Sequence, residues 1–312
     1  VYGCWRIGIG LGEKQRIRND EERSRRKLMS EVQVAVVTGA ARGIGRATAV
    51  AFAKAGYRVA GVDIAALASS AMDYAPATPE DLEETGRLVK AAGAQWMPVI
   101  FDQRDKDAVR DGFNGIVEHF GGVDVVFANA GIQGFASLLE MSDELWDDQI
   151  DINLTGTANV LRVVAPLLIK RGGGRIIITS STQGQHGTLD GTGYSASKWG
   201  LIGLMKSAAL DLGKYGITVN AVIPGLINTA LTRHEDRYAQ IIRAGGHEPS
   251  GKLSDDEKTA ADAQLGKLPL GVPWVEPEDV APLVVFLASE EARMVSGTSF
   301  AATGGDSANI TA

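Results

Sequence analysis

From residue 32 onward the chain alternates short, nearly unbroken apolar runs with longer stretches whose apolar residues recur at helical spacing. The runs fall at 32–38, 57–63, 95–101, 123–128, 175–180, 218–223 and, more weakly, 298–302; the helical patterns fall near 44–55, 80–92, 104–119, 143–170, 194–214 and 278–289. Val34-Ala35-Val36-Val37 and Ile176-Ile177-Ile178 lack the alternation of a half-solvated strand, as strands do when a parallel sheet is covered on both faces. The pattern predicts one α/β domain over 30–312: a doubly wound, Rossmann-type parallel sheet of seven strands with helices on both faces.

Two stretches break the rhythm. Residues 64–79 insert small side chains between the second strand and its helix, ending in Thr78 as N-cap and Pro79 at the first helical position. Residues 228–273 are polar and interrupted by Gly245-Gly246 and Ser250-Gly251. A segment of that length inside a domain is expected to be a lid over substrate rather than a connector.

Composition narrows the class. Of 312 residues 45% are hydrophobic, yet no run reaches the ~18 apolar residues of a membrane span, so no membrane partner is expected. A single cysteine, Cys4, excludes a disulfide framework and a cysteine-rich zinc site; it fits a reducing compartment, so the cytoplasm is the expected location and no metal is expected. The net charge of −7 argues against nucleic-acid binding. That charge is uneven: residues 1–29 hold eight Lys and Arg against four acids. They lack the apolar core of a secretory signal and are expected to form a disordered basic extension outside the fold; a basic arm for an acidic partner is the alternative.

The first candidate chemistry lies after the first run. Thr38-Gly39-Ala40-Ala41-Arg42-Gly43-Ile44-Gly45 joins a strand to a helix, where glycines let the backbone approach a pyrophosphate at the positive helix terminus. The spacing differs from the usual dinucleotide fingerprint, and alone it also fits a structural turn. Asp63 closes the second run, where a carboxylate accepts the adenosine ribose hydroxyls and repels a 2′-phosphate. Arg42 would favour that phosphate instead. Asp63 faces it more directly, so NAD is expected rather than NADP.

The second lies after the fifth run. Ser181 follows it, and Tyr194 and Lys198, four apart, share a helix face. A phenol of pKa near 10 is a poor base; a nearby ammonium would lower that value and let Tyr194 exchange a proton with an alcohol oxygen. The Ser181 hydroxyl could orient the same oxygen. In isolation a Tyr/Lys pair at this spacing is as readily a surface feature.

Together these segments resemble the short-chain dehydrogenase/reductase family across nearly all of 32–305. Thr38–Gly45 is similar to its glycine loop, Ala128-Asn129-Ala130-Gly131 to its N-A-G turn with Ala128 for the commoner Asn, and Pro224-Gly225 to its turn after the sixth strand. Asn153, Ser181, Tyr194 and Lys198 match its catalytic positions. The resemblance implies that Tyr194 is the acid/base, Ser181 holds the substrate oxygen, Lys198 also bonds the nicotinamide ribose, and Asn153 supports a water leading to Lys198. It further implies that Asp102, with Gln103 beside it, addresses the adenine, that Asn129, Ala130 and Gly131 pass beneath the adenosine ribose, and that Ile227 and Thr229 meet the carboxamide. Thr78-Pro79-Glu80-Asp81-Leu82 after an insertion, with 273–279, resembles the carveol dehydrogenases and the mycofactocin-associated branch, where the insertion is associated with covering a tightly held NAD. Thr303-Gly304-Gly305-Asp306 departs from the commoner D-G-G ending.

Gln183, Gln185, His186 and Leu189, with Leu226 and Leu231, are candidate substrate liners, and their apolar share favours a cyclic or terpenoid secondary alcohol over a sugar. The expected function is hydride transfer between such an alcohol and NAD. The alternatives are an NADPH-dependent ketoreductase of 3-oxoacyl-thioester or prochiral-ketone type, and a nucleotide-sensing protein without turnover. The helices at 154–170 and 194–214 carry apolar residues on more than one face, and in the resembled family they pair subunits, so a homotetramer is expected.

Overall fold

The computed structural model describes residues 32–309, and the predicted extension at 1–29 lies outside them. Among these residues the apolar runs form seven strands: β1 (Val34–Thr38), β2 (Arg58–Asp63), β3 (Trp96–Ile100), β4 (Val125–Ala128), β5 (Gly174–Thr179), β6 (Ile217–Pro224) and β7 (Ser299–Ala302). Every pairing is parallel, in the order β3-β2-β1-β4-β5-β6-β7. The chain reverses its direction of travel across the sheet between β1 and β4. The crevice at such a switch point is where open α/β sheets bind ligands.

Nine helices follow: α1 (Gly43–Lys54), α2 (Pro79–Ala91), α3 (Lys106–Phe120), α4 (Asp143–Asp148), α5 (Thr157–Arg171), α6 (Thr192–Leu212), α7 (Glu235–Ala244), α8 (Leu253–Leu265) and α9 (Pro277–Ala288), counted among the described residues. Alternate strand residues point to opposite layers. Val34, Val36, Ile176 and Ile178 meet Phe113, Val164, Leu168 and Met205 of α3, α5 and α6. Ala35, Val37, Phe127 and Ile177 meet Phe52, Leu82, Val89 and Leu287 of α1, α2 and α9. This is the both-faces-covered sheet expected from the unbroken strands. Thr78 closes a capping box with Asp81, and Pro79 opens α2, as their order predicts.

Two expectations need correction. The single helix predicted at 143–170 is broken by a π-helical stretch, Gln149–Gly156, between α4 and α5; such widened turns mark functional positions in helices, and this one carries Asn153. Helical periodicity in sequence does not distinguish the two windings. The 228–273 segment is not simply a polar lid, because it contains α7 and α8. Tyr238 and Ile241 of α7 are buried with Ala260 of α8, Leu226 and Trp274. The glycine pairs that suggested a loop form the link between these helices. The run Asp143–Arg171 is long and apolar enough to cross a bilayer. Its Val160, Leu161, Val164 and Leu168 are instead buried in the core.

At the end of the sheet remote from the crevice, buried Asp124 accepts the Val34 N–H (2.8 Å) and Arg171 Nε (2.8 Å), tying β1 to α5. Replacing Asp124 by Ala leaves the buried Val34 N–H without its acceptor and removes one bond of Arg171, and is expected to cost roughly 2–3 kcal/mol, measured by denaturant unfolding, without altering nucleotide affinity.

Candidate active site

Because the strands are parallel, the loops after β1 to β6 all open on one edge, around a cavity of about 620 Å³. Gly39 (φ +69°) and Gly43 (φ +56°) hold left-handed backbone there, a conformation that L side chains resist. Gly45 does not reach the cavity. A Cβ on it would stand 1.9 Å from the Gly39 carbonyl oxygen, so its role is to let α1 close on the loop. Asn129 clamps three strand ends: its Nδ2 donates to the Thr38 carbonyl (3.0 Å), its Oδ1 accepts from Thr179 Oγ1 (3.0 Å), and its N–H donates to Thr38 Oγ1 (2.9 Å). Asp63 lines the cavity with Oδ2 accepting the Ala41 N–H (2.9 Å) and Oδ1 the Ala65 N–H (3.0 Å). Each oxygen retains a further acceptor site for a hydroxyl.

Ser181, Tyr194 and Lys198 are buried and line the same cavity. Ser180 Oγ donates to the Lys198 carbonyl (2.9 Å), and Lys198 Nζ donates to the Thr179 carbonyl (3.0 Å), which seats α6 on the end of β5. Ser181 Oγ accepts the Gln183 N–H (3.1 Å), turning the chain towards the substrate loop. The expected depression of the phenol by Lys198 is not what surrounds it. Burial pushes Tyr194 up from 10.0 to about 12, and the groups that pull it back are the Ser181 hydroxyl and the Arg237 guanidinium. Lys198 Nζ, 5.3 Å from the Tyr194 ring centre, is itself lowered by burial to about 8. Desolvation outweighs the helical-turn pairing on which the sequence argument relied.

Asn153 lies fully buried in the π-helical stretch and does not line the cavity. Its Oδ1 accepts the Ile132 N–H (2.8 Å), and its Nδ2 donates to the Ile132 carbonyl (2.9 Å) and to Ser197 Oγ (3.0 Å). It therefore joins the loop after β4 to the helix that carries Tyr194. Gln103 reaches the cavity, but its amide donates to the Ile152 carbonyl (2.6 Å). Asp102 also reaches it, with its carboxylate closed on Arg104, whose Nε and Nη2 lie 2.8 and 2.6 Å from Oδ2. That pairing occupies Oδ2, while Oδ1 accepts the Arg104 N–H (2.9 Å) and retains one acceptor site. Ala130, Gly131, Ile44, Pro224, Gly225, Ile227 and Thr229 line the cavity as expected.

Residues 33–239 match the family model for short chain dehydrogenases. The chain belongs to that family. It is 35% identical to the (-)-trans-carveol dehydrogenase of Rhodococcus erythropolis, over 86% of this chain and 94% of that protein. It is 34% identical to the 3-oxoacyl-[acyl-carrier-protein] reductase of Thermotoga maritima, over 88% and 98% of the two chains. Its fold superposes on the crystal structure of carveol dehydrogenase from Mycobacterium avium in complex with NAD with a TM-score of 0.81 at 36% identity, covering 88% of this chain and 97% of the other.

In this short-chain dehydrogenase the insertion at 64–79 and the segment at 228–273 meet. Ala66, Ala68, Met72, Tyr74 and Pro76 line the cavity. Asp73 Oδ1 lies 2.7 Å from His234 Nδ1 and Asp73 Oδ2 accepts the Asp236 N–H (3.1 Å), and the Tyr74 ring packs on His234 and lies 5.9 Å from the Arg42 guanidinium. Burial raises the Asp73 carboxyl most, but His234 and the backbone N–H groups of Asp236 and Asp73 together outweigh it and hold it below the usual range. Of the expected substrate liners, Gln183, His186, Leu189, Leu226 and Leu231 reach the cavity and Gln185 does not. The η-turn carrying Thr182–Gly184 ends just before Gln185, and alternation in a turn is not readable from residue order. His186 is occupied locally, with Nδ1 2.8 Å from the Gly187 carbonyl. Sequence inspection missed Tyr74, Arg237 and Gln240, all at the cavity. The periodic Tyr238, Ile241 and Ile242 could have signalled α7, but not where its polar face would land.

Were Tyr194 the base for alcohol oxidation, as the sequence leads one to expect, its raised value predicts that kcat/KM in that direction keeps climbing between about pH 9 and 10. Ketone reduction, which would use the protonated phenol, is expected not to rise over that interval. Paired pH–rate profiles check this; an oxidation plateau by about pH 7 would contradict the raised value.

Proposed function

We propose that this dehydrogenase interconverts a secondary alcohol, cyclic or terpenoid and carveol-like, with its ketone, using NAD(H). The observation that carries the proposal is the burial of Ser181, Tyr194 and Lys198 on one cavity wall that also includes the glycine loop and Asp63. The cavity residues suit a dinucleotide: left-handed glycines where a pyrophosphate approaches, and a carboxylate with acceptor sites left for ribose hydroxyls. NAD, when bound, supplies the electron-accepting ring. Asp63 favours it over NADP, and Arg42, drawn towards the Tyr74 ring, is no strong counterargument.

In this mechanism Ser181 Oγ holds the substrate oxygen and Tyr194 Oη exchanges its proton. At neutral pH the raised phenol is protonated, which favours its service as the acid in ketone reduction. Lys198, steadied by the Thr179 carbonyl, would hold the nicotinamide ribose. Asn153 acts through Ile132 and Ser197 as a positioning residue. Asn129 to Gly131 support the adenosine ribose, and Ile227 and Thr229 the carboxamide. The insertion, latched to the lid through Asp73 and His234, covers the nucleotide. A cytoplasmic setting accords with the lone Cys4.

The likeness to 3-oxoacyl reductases favours one second reading, ketoreduction of an acyl thioester with NADPH. Titration with both dinucleotides separates the two. The principal test is turnover: cyclic secondary alcohols with NAD are expected to outperform polyols, and Tyr194→Phe to lower kcat by about 10²–10⁴-fold while sparing NAD binding. Full activity in Tyr194→Phe would refute the assignment.

We also propose a homotetramer, paired through α5 and α6. Trp199 (52% exposed) and Leu210 (84%) leave apolar surface on α6, and Ile169 does so on α5. Light scattering at micromolar concentration is expected to give four times the chain mass, and Leu210→Glu a smaller species.

A further inference from the structure

The cavity contains a cation that neither the dinucleotide residues nor the proton-transfer groups require. Arg237 of α7 lines it together with Tyr194, Gln240, Leu189 and Ile241. Its Nη1 donates to Gln240 Oε1 (2.6 Å), and its guanidinium carbon lies 5.0 Å from the centre of the Phe135 ring. Gln240 is itself held, since its Nε2 donates to the Leu189 carbonyl (3.0 Å), which leaves Oε1 for the arginine. Arg237 Nε is shut off from solvent with no acceptor. Among the described residues Gln240 is the sole hydrogen-bond partner of Arg237, and no carboxylate pairs with it.

The neighbouring charges are treated differently. Arg233, one helical turn earlier, bonds Glu257, Asn228 and Tyr238. His234 bonds Asp73, and Arg104 bonds Asp102 and Asp148. A half-buried cation without a counter-charge among the described residues is costly, and desolvation lowers Arg237 to about 10. The fold nevertheless braces this one in place rather than neutralising it. A ligand anion would complete it. A guanidinium binds a planar carboxylate through two parallel N–H donors, and Nη2 has no protein partner here. One cation among Phe135, Leu189 and Ile241 balances a single negative charge beside apolar carbon, which suits a carboxylate better than a phosphate.

We propose that Arg237 binds a carboxylate of the substrate, so that the alcohol handled at Tyr194 is an apolar hydroxy acid and its ketone the corresponding oxo acid. This rests on the secondary-alcohol assignment above and narrows it.

The test is calorimetric titration of the NAD-loaded protein at pH 7 with cyclohexanecarboxylate and with cyclohexanecarboxamide, which match in shape and differ in charge. The wild type is expected to bind the carboxylate at least about tenfold more tightly, Arg237→Met to lose that preference and Arg237→Lys to keep part of it. Because Arg237→Met removes a half-buried charge that has no carboxylate partner among the described residues, its thermal midpoint is expected not to fall, whereas a merely structural arginine would lower it on removal. Equal affinity for the two probes in the wild type, or a preference that survives in Arg237→Met, would overturn the proposal. If Arg237→Met does not fold, the wild-type comparison and Arg237→Lys still decide. Carboxylate preference without turnover of any secondary alcohol would sustain the anion site and remove the alcohol chemistry; turnover of neutral alcohols without that preference would remove the anion site alone.

Discussion

Seven strands that all run the same way place all their carboxyl ends on one edge, and this constraint organises the rest of the molecule. Parallel pairing requires a crossover after each strand, and the crossovers cover both faces, so the sheet interior can be apolar without alternation. The polar chemistry is thereby confined to the one edge where loops from β1 to β6 converge. Asn129 shows how tightly the convergence is held, since one side chain joins the ends of β1, β4 and β5. Lys198 does the same for α6 and β5. The cavity is thus walled by groups that are also structural ties.

That double duty shapes the electrostatics. Lys198 is buried where it seats α6 on the end of β5, Tyr194 is buried one helical turn away, and burial moves both towards their neutral forms. The charge acting on the phenol comes from Arg237, in a helix of the segment between β6 and α9. Were an anion bound at Arg237, recognition and acid strength would share a residue, since the anion would also weaken the pull of Arg237 on Tyr194. Asn153 contributes differently, using the widened turn at Gln149–Gly156 to reach both Ile132 and Ser197.

Much of this was legible in residue order. The unbroken runs located all seven strands within a few residues, and Thr78-Pro79 marked the start of α2. Thr38–Gly45, Asp63, Ser181, Tyr194 and Lys198 identified the site because each sits just past a strand or on the helix facing it. The liners Gln183, His186, Leu189, Leu226 and Leu231 followed from their loops, while Gln185 does not reach the cavity. Gly45, expected at the pyrophosphate, instead lets α1 close on the glycine loop, and Asn153, expected to support a water leading to Lys198, is buried beside the cavity and bonded to Ile132 and Ser197.

The sequence by itself determined the sheet, its parallel sense and the family of its chemistry, because these depend on local periodicity and on spacings of a few residues. Only the tertiary structure decided which charges meet. Asp102 pairs with Arg104, Asp73 bridges the insertion to His234, and Arg237 remains without a counter-charge beside Tyr194. Desolvation and charge pairing depend on what surrounds a group in space, and residues 163 apart, such as Asp73 and Asp236, share no signal along the chain.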